Sequence, residues 1–116
     1  MKHQKKGKKF HRTKGQREAF IQGLVSNLIQ KEKIQTTDVR AKTLKTEAEK
    51  MITLAKKQNT ASLRLLIARL PRKSAQKLYY EIAPRYAERK GGYIRVIKQG
   101  KRRIGDAAMT SMVEFV

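Results

Sequence analysis

Between Met1 and Arg17 the chain carries eight lysines and arginines (Lys2, Lys5, Lys6, Lys8, Lys9, Arg12, Lys14, Arg17) and not one carboxylate. Such a stretch cannot neutralise itself, and Phe10 is its only large apolar side chain after Met1, so burial cannot offset the entropy of ordering it. Residues 1–13 are therefore expected to be an extended basic tail whose order depends on an external polyanion. Residues 14–116 are expected to form a single globular domain, since 116 residues suffice for one ordinary core and not for two.

The rest of the chain carries the same imbalance, with 29 basic against 9 acidic side chains and a net charge of +20. A self-repelling load of that size disfavours compaction unless counter-charge is bound. DNA, RNA, an anionic membrane or an acidic protein would each supply it. No apolar run reaches the roughly 18 residues of a membrane span, and the charged opening lacks the apolar core and cleavage site of a secretory signal. A cytoplasmic protein is expected. With no cysteine there are no disulfides, no thiol chemistry and no cysteine-based zinc sites.

Thr13 followed by Gln16 fits a reciprocal helix cap, so a helix is predicted from about Lys14 to Gln30 with Phe20, Ile21, Leu24, Val25 and Leu28 on its apolar face. Lys33 to Thr37 is short and β-branched, which predicts a strand running into a cap at Thr37 with Asp38 in the next helix's first turn. Leu44, Ala48, Met51, Ile52 and Ala55 keep helical period for about four turns, and Lys56 and Lys57 suit the negative end of that helix's dipole. A third helix is predicted over Ala61 to Leu70, closed by Pro71. A fourth is expected to be capped by Ser74 and bent at Pro84, with Ala75, Leu78, Tyr79, Ile82 and Tyr86 on its inner side. Gly91-Gly92 ends it. Tyr93 to Lys98 and Met109 to Val116 read as strands joined by the basic loop Gly100 to Asp106. The order α-β-α-α-α-β-β predicts an α+β fold, a small sheet covered on one face by helices.

The cations cluster a second time. Arg85, Arg89, Lys90, Arg95, Lys98, Lys101, Arg102 and Arg103 place eight positive charges in 19 residues, with Glu88 the only acid among them. Arginine forks are bidentate to phosphate, lysines act as mobile point charges, and Gly91-Gly92 would let backbone amides approach an anion. The same glycines also serve as a helix stop and a turn with positive φ. Both roles are compatible. Two dense clusters exceed what solubility demands and point to nucleic acid held at two places. Tyr79 and Tyr86 fall on the apolar face and belong to the core, which leaves Tyr80 as the better candidate for contact with a partner.

Other chemistries lack their residues. His3 and His11 lie in the tail without the further ligands a zinc site requires, so phosphate bonding or exposure is the expectation and no metal or cofactor is assigned. No phosphate-binding glycine loop, dinucleotide fingerprint or acid–base pair occurs, and Asp106 between Gly105 and Ala107 suits a turn. No catalysis is expected. A free-standing DNA- or RNA-binding architectural or chaperone protein would need the same charge and is the alternative. An RNA-modifying enzyme lacks its site, and a membrane-active peptide is disfavoured because the apolar stripes can close on each other.

Motifs spread along the chain carry a resemblance: Met1-Lys2-His3 with Gly7-Lys8-Lys9-Phe10, Ile34-Gln35-Thr36-Thr37, and Ile52-Thr53-Leu54-Ala55-Lys56. Further on come Pro84-Arg85-Tyr86, Arg89-Lys90-Gly91-Gly92-Tyr93-Ile94-Arg95, Arg103-Ile104-Gly105-Asp106-Ala107-Ala108-Met109 and Val113-Glu114-Phe115-Val116. In order and spacing they resemble the bacterial large-subunit ribosomal protein family L17. Where that family usually has Arg, His and Thr, this chain has Lys2, Gln16 and Ile94.

The resemblance implies a structural constituent of the large (50S) ribosomal subunit, without catalysis, that binds 23S ribosomal RNA on the polypeptide exit side and touches neighbouring ribosomal proteins. It also implies that the three-stranded sheet is mixed. Taken with the two clusters, the RNA-binding residues are expected to be Lys2, His3, Lys5, Lys6, Lys8, Lys9, His11, Arg12, Lys14 and Arg17 in the first segment. The second segment is expected to contribute Arg85, Arg89, Lys90, Gly91, Gly92, Tyr93, Arg95, Lys98, Lys101, Arg102 and Arg103. No small-molecule substrate, membrane partner or homo-oligomer is expected.

Overall fold

The computed structural model describes residues 13–105 and 107–116, the side chain at position 101 excepted. Helix α1 runs Lys14–Lys31. Its start is the predicted cap: the Gln16 amide donates to the Thr13 hydroxyl at 3.4 Å and the Thr13 amide to the Gln16 side-chain oxygen at 3.2 Å. These two bonds occupy amides that a helix start leaves without partners. At the other end Glu32 takes a left-handed conformation, φ 62°, and donates its amide to Leu28.

That reversal feeds strand β1, Lys33–Thr37, with no intervening loop. Thr37 then accepts from the Arg40 amide and starts α2, Asp38–Ala55, with Asp38 in the first turn where the helix dipole favours a carboxylate. Ala41, Leu44, Ala48, Met51, Ile52 and Ala55 are buried along α2. This helix touches all three strands and most of the other helical segments, so it is the axis of the core. Three alanines on its inner face let neighbouring backbones approach closely.

Helix α3, Thr60–Arg69, is capped by a reciprocal Asn59–Ser62 pair and ends at Leu70, whose extended backbone is what a residue before proline prefers. The fourth helix, α4, Arg72–Lys77, departs from expectation at its start. Pro71 stands at the cap position with no side-chain bond, and Ser74 lies inside the helix. The Ser74 hydroxyl is instead turned across to α1, 2.5 Å from the Ser26 hydroxyl, and it accepts from Gln30 at 3.2 Å. A buried hydroxyl needs a partner, and here it joins two helices rather than capping one.

The bend around Pro84 occurs as predicted. After α4 the helix widens over Leu78–Ile82, where the Ala83 amide reaches five residues back to Leu78, and then tightens over Ala83–Tyr86. Pro84 has no amide to donate, so a change of helical pitch beside it costs less hydrogen bonding than it would elsewhere.

Strands β2, Ile94–Arg102, and β3, Met109–Phe115, complete a sheet of order β1-β3-β2. Both pairings are antiparallel, which corrects the expectation of a mixed sheet. β2 is also longer than predicted and runs through Gly100, φ +66°, with a register shift between Lys98 and Arg102. The glycine marks an irregularity inside a strand rather than the start of a loop. In the row Ile34–Val113–Val96 the middle residue is fully buried and the outer two pack against the core under α2. Ser111, beside them, donates to the Asp38 carboxylate and ties the middle strand to the start of α2.

Candidate nucleic-acid interface

The second basic cluster is built on a frame of buried tyrosines. Tyr86 and Tyr93 pack with ring centres 5.4 Å apart, and Phe115 lies 6.5 Å from Tyr86. The Tyr86 hydroxyl donates to the Val116 carbonyl at 2.8 Å while the Val116 amide donates to the Tyr93 carbonyl at 2.9 Å. Burial of the Tyr86 phenol raises its pKa above the ordinary value. These contacts close a ring through Tyr86, Val116 and Tyr93 and bring the loop of residues 89–93 against the end of β3.

Lys56, at the end of α2, fastens that loop from the other side. Its ammonium donates to the Tyr93 hydroxyl at 2.8 Å and to the Arg89 carbonyl, and it lies 4.8 Å from the centre of the Tyr93 ring. Sequence reasoning assigned Lys56 only to the helix dipole; its reach to a loop more than thirty residues later is not a local signal. The Tyr93 ring is only 3 % exposed, so it anchors the loop from below and has no face to offer a base. The helical stretch ends at Tyr86 with Ala87 at its cap, which corrects the expectation that Gly91-Gly92 ends it; Gly92, φ +63°, instead supplies a left-handed residue in the loop just before Tyr93.

The cations on this frame fall into two groups. Arg85 is bonded to Glu32, which also lies 3.5 Å from Lys77, and Arg95 donates to Glu114 at 2.6 Å with Lys33 3.8 Å away on the opposite strand. Arg85 and Arg95 are therefore engaged within the fold, though both remain about half exposed or more. The hydrogen bond from Arg85, working against burial, holds the Glu32 carboxyl below the ordinary carboxylate range, and the same bond raises Arg85. Sequence reasoning placed both arginines with the RNA contacts because their partners lie 53 and 19 residues away.

The second group faces outward. Arg89, Lys90, Lys98, Arg102 and Arg103 are exposed. Arg89 donates its Nε to the Gly91 carbonyl at 3.0 Å and Arg102 one terminal nitrogen to the Ala107 carbonyl at 3.4 Å, so backbone carbonyls orient both forks while other N–H groups of each stay available. Gly91 is exposed beside them, with open space where a Cβ would stand. The side chain of Lys101 lies outside the described residues.

Of the first cluster, Lys14 and Arg17 open α1, the former exposed and the latter half-buried. Lys2, His3, Lys5, Lys6, Lys8, Lys9, His11 and Arg12 lie outside the described residues, as does Asp106. Tyr80 is 61 % exposed and sits edge-on to buried Tyr79, in keeping with its reading as the tyrosine open to a partner. Arg64, Arg69, Arg72 and Lys73 add an exposed basic stretch along α3 and α4 that the two-cluster reading passed over, because it is less dense in sequence. Among the described residues no group of histidines and carboxylates could hold a metal, and no helix is long and apolar enough to cross a membrane.

Comparison with known proteins is consistent along the whole chain. The family model described as Ribosomal protein L17 matches residues 20–116. A large ribosomal subunit protein bL17 from Persephonella marina is 51 % identical over 118 aligned positions, covering all of this chain and 95 % of the relative. Proteins of the same name from a Sulfurihydrogenibium species and from Thermodesulfovibrio yellowstonii are 48 % and 44 % identical, again over the full chain, covering 97 % and 87 % of those relatives.

Proposed function

The chain belongs to the ribosomal protein L17 family, structural proteins of the large ribosomal subunit and not enzymes, and from that premise we propose that it holds 23S ribosomal RNA at two places. One is the basic opening, Lys2 to Arg17. The other is the exposed set Arg89, Lys90, Lys98, Arg102 and Arg103, joined by Lys101 of the same stretch of sequence, with Gly91 giving close backbone approach. The polypeptide exit side of the subunit is the location the family resemblance suggests.

One observation carries the second site. Within one stretch of chain the fold neutralises Arg85 and Arg95 with carboxylates, leaves Arg89 and Lys90 exposed on a loop pinned by buried Tyr86 and Tyr93, and carries Lys98 and Arg102 exposed on the adjoining hairpin. Cations held by a rigid base lose less entropy on meeting phosphate than cations on a flexible chain. Their energy is electrostatic and carries little sequence information, so RNA shape and backbone path would set the register.

Neutralising about 6 to 10 phosphates would lower affinity by roughly 10³ to 10⁵ between 50 and 200 mM salt. A titration of the full chain against a large-subunit RNA fragment measures this, and a flat salt response would count against the proposal. Replacing Arg89 and Lys90 together by alanine should reduce the slope of log affinity against log salt by about 1.4 to 1.8. Protein–RNA crosslinks on intact subunits give the spatial test. They should land on both segments, and crosslinks confined to residues 41–70 would refute the two-site reading.

A further inference from the structure

A cleft of about 410 Å³ opens between α1, the second half of α2 and the end of α3, and no strand residue lines it. Its floor is apolar, formed by Ile21, Val25, Met51 and Leu70, and carboxylates stand on two sides of it, Glu18 from α1 and Glu47 from α2. Carboxylates are scarce in this chain, nine against 29 cations. Several others have evident internal work: Glu32 and Glu114 neutralise arginines, and Asp38 accepts from Ser111 at a helix start. Glu18 is exposed, and Glu47 meets Lys50 of its own helix at 3.6 Å, a surface pair of small energetic weight.

Two acids against one base, Arg69, line this cleft, with Lys50 beside Glu47 at its edge, so it is a near-neutral, carboxylate-bearing spot on a molecule of net +20. Ribosomal RNA phosphate would find two carboxylates here and no excess of cations to draw it in. An incoming Lys or Arg would be attracted, and its aliphatic stem or an adjoining apolar residue would cover the floor, while the Arg69 fork could bond backbone carbonyls of the same segment. We propose that this cleft is a protein-docking site for a segment of a neighbouring large-subunit protein in which Lys or Arg adjoins a large apolar side chain. The proposal rests on the chain working within a ribonucleoprotein, and it assigns this face to protein rather than RNA.

The test places a photo-crosslinking phenylalanine derivative at Gln22, exposed on the rim, in full-length chain assembled into large subunits. The expected product is a crosslink to a peptide of another large-subunit protein that contains a basic residue beside an apolar one. Its yield should fall about tenfold or more when Glu18→Lys and Glu47→Lys are combined, the scale on which like charge at an interface discriminates. Glu18→Gln with Glu47→Gln, which keeps side-chain shape, should give a smaller fall with unchanged melting temperature. Crosslinks to ribosomal RNA, to residues 1–12 of the same chain, or to nothing would overturn the proposal, and so would a yield indifferent to charge reversal. An Arg89→Glu, Lys90→Glu variant separates the two readings. Normal assembly of that variant would sink the second RNA site while leaving the Gln22 crosslink as an independent report on the cleft.

Discussion

The loop of residues 89–93 has buried rings beneath it, a lysine of α2 bonded to its backbone and a tie to Val116, whereas the described residues at the tip of the β2–β3 hairpin are all exposed. From Lys98 to Met109 no described residue is buried, Ile104 is fully exposed, and the turn is closed by two backbone bonds between Arg103 and residues 107 and 108. Both regions carry arginine and lysine. The difference teaches that charge density in sequence says nothing about how firmly the charge is held, which depends on whether apolar neighbours lie underneath.

Breaking the firm region should therefore cost far more than breaking the loose one. Tyr93→Ala removes a buried ring and its hydroxyl contact with Lys56, and is expected to lower unfolding free energy by about 3–5 kcal/mol, measured by chemical denaturation. A loss under about 1 kcal/mol would mean that the frame is not a frame. Lys56→Met keeps the apolar stem and removes the bonds to Arg89 and Tyr93, so a loss of about 1–2 kcal/mol is expected. Amide exchange should then quicken at residues 89–93 while the hairpin tip stays as it was.

Smaller effects sharpen the contrast. Glu32→Gln breaks the pairs with Arg85 and Lys77, both groups partly exposed, and should cost no more than about 1 kcal/mol at neutral pH. Because the Glu32 carboxyl is held below its ordinary value near 4.5, chiefly by the hydrogen bond from Arg85, its contribution is complete above that value. It fades as pH falls through the lower folded value. Stability curves of the two proteins should accordingly converge in acid and separate towards neutrality. At the hairpin tip Ile104→Ser should change stability by less than about 0.5 kcal/mol, and a larger loss would show that the tip packs against something.

Much of the fold was legible because its signals are local. Thr13 with Gln16, Thr37 before Asp38, and Pro84 inside an apolar helix each act within four residues, and the structure places α1, β1, α2 and the bend where those residues predict. Ser74 was misread as a cap because a serine can also bond across a helix interface, and only the position of Ser26 and Gln30, more than forty residues away, decides between the two. Gly100 has the turn signal of a loop yet lies within β2, since its pairing is set by a partner strand that sequence alone does not align. The site was legible as a cluster of charge. Its division was not, because assigning Arg85 to Glu32 and Arg95 to Glu114 requires the tertiary fold.

The strand order carries a consequence for how the molecule comes into being. β3 lies between β1 and β2 and is synthesised after both, so the first two strands have no partner in the sheet until residues 109–115 have emerged. The ring through Tyr86, Val116 and Tyr93 waits on the residue that follows them. Until residues 109–116 of a nascent chain have emerged, its helices can gather around α2 but the platform beneath the loop of residues 89–93 does not yet exist. A firm grip on RNA at that loop would then serve as a mark of a chain whose sheet has closed.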